Sequence, residues 1–444
     1  VSAIRENACE FVSITNGEGE TEKAVFAQVR KDFGGDGYAV VVLNTDRGQP
    51  RENLTLAIKA PAGYAVEEWD LENGTRYDAS ALAGEVSGTY YISMDLEAAG
   101  TRCFVLTKCA EELPAVTEYE TVASETLTGE FPYAAHEPNV CVLDWCKWRW
   151  KGQEWHDEAE ALWTDRQIRS DIGIEWRGGG MLQPWYAKLN DTKKYGELQL
   201  SYEFYIDEMP EFDIILAGER PELNQYKING VELHNDDIND FWVDDCFKKM
   251  KIPAEALKLG RNEVTIDVTF MRTTNVEALY LVGVFGVKVD GKKRTIVGTP
   301  GLIGCDNYAA YDLPFYTGNM EYILTPEDFE NILGDAAGDA DRIVLTPKEF
   351  TGGCVKVVAA GKTTVLGWDP YEADVTEAYR NGLPISVIVE GVRTNVFGPL
   401  HEVDKPAGAC GPGNFVTGGN AWTDDYSLLK SGLRGFTFKA QKKA

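Results

Sequence analysis

Leu54-Thr55-Leu56-Ala57-Ile58-Lys59 sets Leu54, Leu56 and Ile58 on one side and Thr55, Ala57 and Lys59 on the other. That is the period of a half-buried strand. The same logic extends in both directions. Upstream, the apolar run Ala39-Val40-Val41-Val42-Leu43 stops at the turn cluster Asn44-Thr45-Asp46-Arg47-Gly48. Downstream, Asn73-Gly74 follows Glu67-Glu68-Trp69-Asp70 as in a hairpin turn. Ile92, Met94 and Leu96 then oppose Tyr91, Ser93 and Asp95, and Arg102 to Thr107 closes the unit. Short strands separated by turns predict a small antiparallel β-sandwich over residues 1–110.

Residues 111–135 carry Glu111, Glu112, Pro114 and a run of Thr, Ser and Glu, and read as a linker. A second unit, residues 136–298, opens with Asn139-Val140-Cys141-Val142-Leu143-Asp144 and a tryptophan-rich stretch of Trp145, Trp148, Trp150 and Trp155. Ala161, Leu162, Ile168 and Ile172 have roughly helical spacing, so a helix is expected within Glu158–Ile172. Strands resume over Leu198–Ile206, pass through Lys227-Ile228-Asn229-Gly230-Val231 and continue to Val264, Ile266 and Val268. Pro253 to Leu257 makes a short helix, with Pro at its start and Gly260 after it. A third unit, residues 299–444, echoes the second: Trp368, Val375 to Tyr379, Gly382, then Ile385, Val387 and Val389. The spacing is that of a duplication rather than a strict repeat.

The 444 residues include 43 Lys plus Arg against 71 Asp plus Glu, a net charge of −28. Such a chain repels phosphate backbones and anionic membranes, so neither nucleic acid nor a membrane is expected as a partner. The longest apolar runs, Tyr38–Leu43 and Leu279–Phe285, fall far short of the ~20 residues that span a bilayer. Nine cysteines without a CxxC, beside four histidines, match no zinc template. Buried free thiols are the expectation, and with them a reducing, cytoplasmic location. The chain opens Val1-Ser2-Ala3-Ile4, without a charged-then-apolar leader, as expected of a piece processed or cut from something longer.

Asn229-Gly230, Trp242 and Leu259-Gly260-Arg261-Asn262-Glu263-Val264, in that order, resemble the sugar-binding jelly roll attached to many glycoside hydrolases. Val276–Gly286, Leu313-Pro314-Phe315-Tyr316-Thr317-Gly318 and Arg393-Thr394-Asn395-Val396-Phe397-Gly398-Pro399-Leu400-His401 resemble signatures of large bacterial rhamnosidase-like glycoside hydrolases. The turn Glu68–Gly74 is similar to the sandwich that follows their catalytic barrel. The resemblance implies an all-β chain: the small sandwich, then two galactose-binding-like jelly rolls, with few short helices. It implies the C-terminal region of an α-L-rhamnosidase-like enzyme that buttresses an upstream catalytic barrel and binds an oligosaccharide or glycoside. The barrel itself needs roughly 250 residues of alternating strand and helix. Nothing in this sequence supplies that, so no catalytic residue carries over. Two alternatives stand beside this reading: a fragment that itself closes a glycosidase or lyase active site, and an interaction module or adhesin with no sugar role.

Glycoside hydrolysis needs two carboxylates flanking the scissile bond. With 71 acidic residues, composition nominates no pair, although Glu67, Glu68, Asp70 and Glu277 are possible. Sugar platforms are aromatic faces with polar groups beside them. On that ground the candidates are Trp242, Trp368 with Tyr371, and Tyr316, together with His401 in its turn. No organic cofactor is implied. Asp236, Asp237 and Asp240, in an Asn/Asp-rich loop, are candidate oxygen ligands for a structural Ca²⁺, without the Gly and terminal Glu of an EF-hand. Gly178-Gly179-Gly180 lacks the strand and the Lys of a phosphate cradle and reads as a loop.

Overall fold

The computed structural model describes residues 11–31, 35–60, 63–71, 74–83, 88–108, 112–177, 193–403 and 415–444. Asn73, of the expected Asn-Gly hairpin, and Gly178-Gly179-Gly180 lie outside the described residues. The molecule is built of antiparallel sheets packed face to face, as the strand patterning predicts. In the first sandwich, strands Val12–Thr15, Arg51–Lys59, Thr89–Leu96 and Leu82–Ala83 form one sheet. Val25–Lys31, Tyr38–Asn44, Thr101–Thr107, Ala65–Asp70 and Thr75–Asp78 form the other. The period-two residues meet between them: Leu54, Leu56 and Ile58 pack with Ile92, Met94, Val40, Val42 and Phe104.

The second sandwich faces the sheet of Asn139–Leu143, Leu279–Gly283, Ile215–Glu219, Asp244–Lys251 and Phe241–Trp242 against a longer one. The longer sheet is centred on Lys194–Ile206 and Gly260–Met271, paired over almost their whole lengths. The run Lys227–Val231 is not one strand: Asn229-Gly230 forms a hairpin turn between Gln225–Ile228 and Val231–Leu233, with φ of 48° and 88°. Both values are left-handed, as a type I′ turn demands. The two Asn-bearing motifs of this unit turn out to lock each other. Asn229 Nδ2 donates to Asn262 Oδ1 at 2.7 Å, and Asn262 Nδ2 donates to the carbonyls of Lys258 and Gly260 at 2.7 and 3.0 Å. Asn262 is fully buried, so each of these bonds spares an unpaired polar atom in the interior.

The reading of 111–135 as a linker is corrected. Tyr119–Leu127 is a strand that pairs with Gly432–Lys443 at the other end of the chain, and Tyr133–Ala135 pairs with Met320–Leu324. These strands supply both sheets of the third sandwich, Tyr119–Leu127/Gly432–Lys443/Arg342–Thr351/Ala373–Asp374 and Tyr133–Ala135/Met320–Leu324/Ile385–Val389/Val355–Ala359/Lys362–Leu366. The chain therefore starts the third sandwich, builds the second as an insertion, and returns. The sequence hid this because Tyr119–Leu127 is an edge strand, mostly exposed and broken by a bulge between Thr121 and Ala123.

The second and third sandwiches are also joined through their cores. Phe315, Val396 and Leu400 belong to the hydrophobic cluster of the second sandwich, with Phe397, Tyr426 and Leu428 packed against it. Among the described residues, six cysteines are free; Cys103, Cys141 and Cys146 are buried as expected, but Cys246 is exposed. No helix among the described residues is long and apolar enough to cross a membrane.

Removing residues 1–111 is expected to leave the thermal transition of the remaining sandwiches in place. Removing residues 1–127 strips one of the two strand partners of Gly432–Lys443 and should lower that transition by more than ~5 °C. Scanning calorimetry of the two truncated chains distinguishes these outcomes.

Candidate functional site

The expected helix exists as Ala161–Asp171. Glu160 caps it, accepting from the amide of Trp163 at 3.0 Å, and so satisfies one of the orphan amides of the first turn. The inner face buries Ala161, Thr164, Asp165, Ile168 and Arg169. Arg169 pairs with Asp165 at 2.7 Å and donates to the carbonyls of Arg272 and Thr274, so this buried charge is fully engaged. The outer face carries Trp163, Arg166, Gln167 and Ser170, and with these side chains it forms one wall of an open groove of about 660 Å³.

Three tryptophans line that groove: Trp148, Trp163 and Trp176. Trp148 comes from the strand Trp145–Trp150 and stacks on His156 at 3.7 Å with the rings only 2° from parallel. Its indole N–H points to Gln167 Oε1 at 3.4 Å. Trp176 is 53% exposed, and its N–H donates to Ser170 Oγ at 2.9 Å. The Arg166 guanidinium lies over the rings of both Trp163 and Trp176, at 5.4 and 4.8 Å. Asp157, Glu158 and Asp171 complete the rim, and Asp171 accepts the indole N–H of neighbouring Trp150 at 2.8 Å. Ring faces beside amide, hydroxyl and carboxylate groups suit a ligand with apolar C–H faces and outward hydroxyls.

Behind the groove lies a buried polar cluster. His401 Nε2 meets Asp144 Oδ2 at 3.1 Å, Tyr426 donates its hydroxyl to Asp144 Oδ1 at 2.5 Å, and His401 Nδ1 faces the Thr423 and Asp425 carbonyls. The His401 ring packs on Trp145, Trp422 and Tyr426, and Trp422 in turn meets Trp163 of the groove. Burial pushes the His401 imidazole down, but the Asp144 hydrogen bond and charge, with Glu160 and the Asp425 carbonyl, outweigh it and leave the pKa raised. Glu160 is pushed up to about 8, chiefly by burial and further by the charge of Asp144, against the pull of the Leu162 and Trp163 amides and His401.

The residues singled out from sequence are not gathered in one place. Trp242 is 7% exposed, and its ring packs among Phe247, Tyr280 and Phe397, so it has no open face and belongs to the core. Tyr316 is likewise core, with its ring against Tyr308 and its hydroxyl on the Asn319 carbonyl. His401 is the buried clamp just described rather than an accessible turn residue. Trp368 is 55% exposed, and Tyr371 is half-buried with its ring edge-on to Phe350, but neither lines the groove. Trp242 and Trp368 are thus not equivalent points of a repeat, since one is buried and the other exposed.

Asp240 is paired with Lys249 at 2.8 Å, and Asp237 Oδ1 accepts from the amide and side chain of Asn239. Among the described residues no group of three or more His, Cys, Asp and Glu side chains could hold a metal ion, Asp236, Asp237 and Asp240 included. The other acidic candidates are engaged in pairs as well. Glu67 accepts from Trp69 Nε1 and faces Arg76, Glu68 is bound by Arg102, and Glu277 pairs with Arg177 at 2.7 Å. Burial raises Glu277, against the pull of Arg177 and with a further push from Glu219. Sequence reasoning noted the tryptophan-rich stretch and the helix but missed Trp163, Arg166 and Trp176. The available signal was a tryptophan at position 163 on the same helix face as Arg166, three residues on, and Ser170, seven on.

No family model matches the chain, and no curated protein does. Among solved structures it is similar to a rhamnosidase from Novosphingobium sp. PP1Y, at 16% identity and a TM-score of 0.22, over 60% of this chain and 21% of that one. It is similar to a beta-porphyranase of glycoside hydrolase family 86 from the human gut bacterium Bacteroides plebeius at 10% identity and a TM-score of 0.15, over 59% of this chain and 37% of that one. With an α-L-rhamnosidase from Aspergillus terreus the values are 9% identity and 0.16, over 98% of this chain and 49% of that one. The chain spans less than half the length of each of these proteins.

Glu160 has its folded pKa above its unfolded value. Its contribution to stability is therefore complete below the ordinary carboxyl pKa and is lost as pH rises to about 8. His401 works in the same direction, losing its contribution as pH rises through its raised pKa. Glu160→Gln keeps an accepting oxygen for Trp163 but removes the titration. Its urea midpoint relative to the unsubstituted protein should rise from pH 5 to about pH 8 and level off above it; a pH-independent difference would show that Glu160 is not buried as described.

Proposed function

We propose that this chain is a non-catalytic β-sandwich region of a glycoside-hydrolase-like protein, supporting a catalytic barrel carried elsewhere in the same polypeptide and binding oligosaccharide in the tryptophan groove. The observation that carries the binding half is the groove itself. Exposed Trp176 and half-buried Trp163 line it over the buried Trp148, and Gln167, Ser170 and three carboxylates stand within reach of a ligand's hydroxyls. Indole faces bury the C–H face of a pyranose, while acceptors at the rim take its hydroxyl protons.

The supporting role has its own observation. In the first sandwich Val40, Val42, Phe104 and Leu106 point into the core, so the alternate residues Val41, Leu43, Cys103 and Val105 lie on the outer face of the same sheet. Phe26, 60% exposed, and Trp69, 40% exposed, flank them on that face. A strand apolar on both faces, as Ala39–Leu43 is, suits a sheet that is covered on both sides. A catalytic barrel is the cover we assign to it.

A stacked ring contributes ~1 kcal/mol beyond area burial, so affinity for a glycan in the millimolar range, about −4 kcal/mol, is expected. Trp176→Ala and Trp163→Ala should each weaken binding about tenfold with the fold intact, as read by calorimetric or NMR titration against a panel that includes rhamnose-containing glycans. Trp368→Ala should leave it unchanged, and equal loss from Trp368→Ala would move the site to that loop. The isolated chain should release no nitrophenol from aryl glycosides; turnover above background that one carboxylate substitution abolishes would transfer the chain to the enzyme reading.

A further inference from the structure

Resting on the reading of the tryptophan groove as a glycan site, we infer that the groove selects glycans that carry no anionic substituent, and that Asp157, Glu158 and Asp171 impose this selection. The argument begins with hydrogen-bonding capacity. A carboxylate is an acceptor only. The three rim carboxylates therefore gain bonds from ligand groups that donate, which means hydroxyls or ammonium groups. A uronate carboxylate or a sulfate ester has no proton to offer and would leave rim oxygens desolvated without a partner.

Charge acts in the same direction. The formal positive charge among the lining side chains that does not depend on histidine protonation is Arg166, against the three carboxylates. That guanidinium already lies over the indole faces of Trp163 and Trp176 and donates to the Val416 carbonyl at 3.4 Å. The groove sits in a chain of net charge −28, so the background field adds to the repulsion from the rim, screened beyond a Debye length of ~8 Å at physiological salt. An anionic ligand thus meets a repulsive element at the point where a neutral one finds acceptors, and discrimination comes from that mismatch. An amino sugar, with an ammonium in place of a hydroxyl, meets neither penalty.

The test uses the full chain and matched probes that share a backbone: β-1,4-glucan, glucosamine and glucuronate oligomers, galactan with galacturonan, and neutral with sulfated galactans. Binding is measured at ~20 mM and ~300 mM salt, in the unsubstituted protein and in Trp176→Ala and Asp157→Asn/Glu158→Gln variants. The expected result is Trp176-dependent binding of a neutral oligomer, with the amino-sugar counterpart at least as tight and the anionic counterpart at least tenfold weaker. High salt and the Asp157→Asn/Glu158→Gln pair should each narrow the neutral-to-anionic ratio by threefold or more. Anionic oligomers that bind as tightly as neutral ones and still depend on Trp176 would overturn the selectivity while leaving the groove a glycan site. Binding by no probe, or binding that ignores both Trp176→Ala and Trp163→Ala, would overturn the glycan reading and the inference with it.

Discussion

Asp144 sits at the end of a core strand with its carboxylate almost wholly buried, and the arrangement around it depends on keeping that charge partnered. A buried carboxylate without partners costs several kcal/mol, so the protein must bring donors to it. Both donors, His401 and Tyr426, come from a segment more than 250 residues away that belongs to the returning half of the chain. Satisfying one carboxylate therefore draws residues 393–403 and 415–431 onto the second sandwich. Phe397, Leu400 and Tyr426 follow it into the hydrophobic cluster there. Arg393, bound to Glu137 through both carboxylate oxygens, and Asn395, which donates to the carbonyl of Leu429 and accepts from its amide, hold the two ends of that region in place.

The groove inherits its shape from this clamp. Glu160, whose backbone pairs with Trp145 on the strand just after Asp144, caps the helix that presents Trp163 and Arg166. The rings of His401 and Trp422 support the back of the same wall, since Trp422 touches both His401 and Trp163. The half-buried indole of Trp163 is thus carried on a helix with a densely bonded interior behind it, while the exposed Trp176 follows that helix on irregular backbone and is tied to it through Ser170. Rigid support of this kind reduces the ordering cost of binding, which matters when each stacked ring contributes so little.

The alternating residues of the first unit and the helix after Glu158 were legible in the sequence, because each depends on neighbours within a few residues, whereas the Asn229-Gly230 turn sits inside what reads as a strand and is marked only by the resemblance. Period-two patterning reflects which face of a sheet is wet, and Asn-Gly reflects the φ values that a tight turn demands. The strand Tyr119–Leu127 was not legible. Its side chains are mostly exposed and its partner, Gly432–Lys443, is more than 300 residues away, so no local pattern distinguishes it from a polar linker. The site residues divided along the same line. Trp242 and Tyr316 are aromatic residues beside polar ones, as a sugar platform would be, but whether such a ring faces solvent or core is a property of packing.

By itself, then, the sequence determined the class of the fold, the period-two faces of its strands, the absence of long apolar runs and a strongly acidic net charge, because these follow from composition and from short-range periodicity. Only the tertiary structure decided that the second sandwich is inserted in the third, that His401 is a buried partner of Asp144, and that Trp148, Trp163 and Trp176 share one groove. Those outcomes rest on contacts between distant segments. A long-range contact is selected by the joint requirement to bury apolar area and leave no buried charge unpaired, and no window of sequence contains both sides of that requirement.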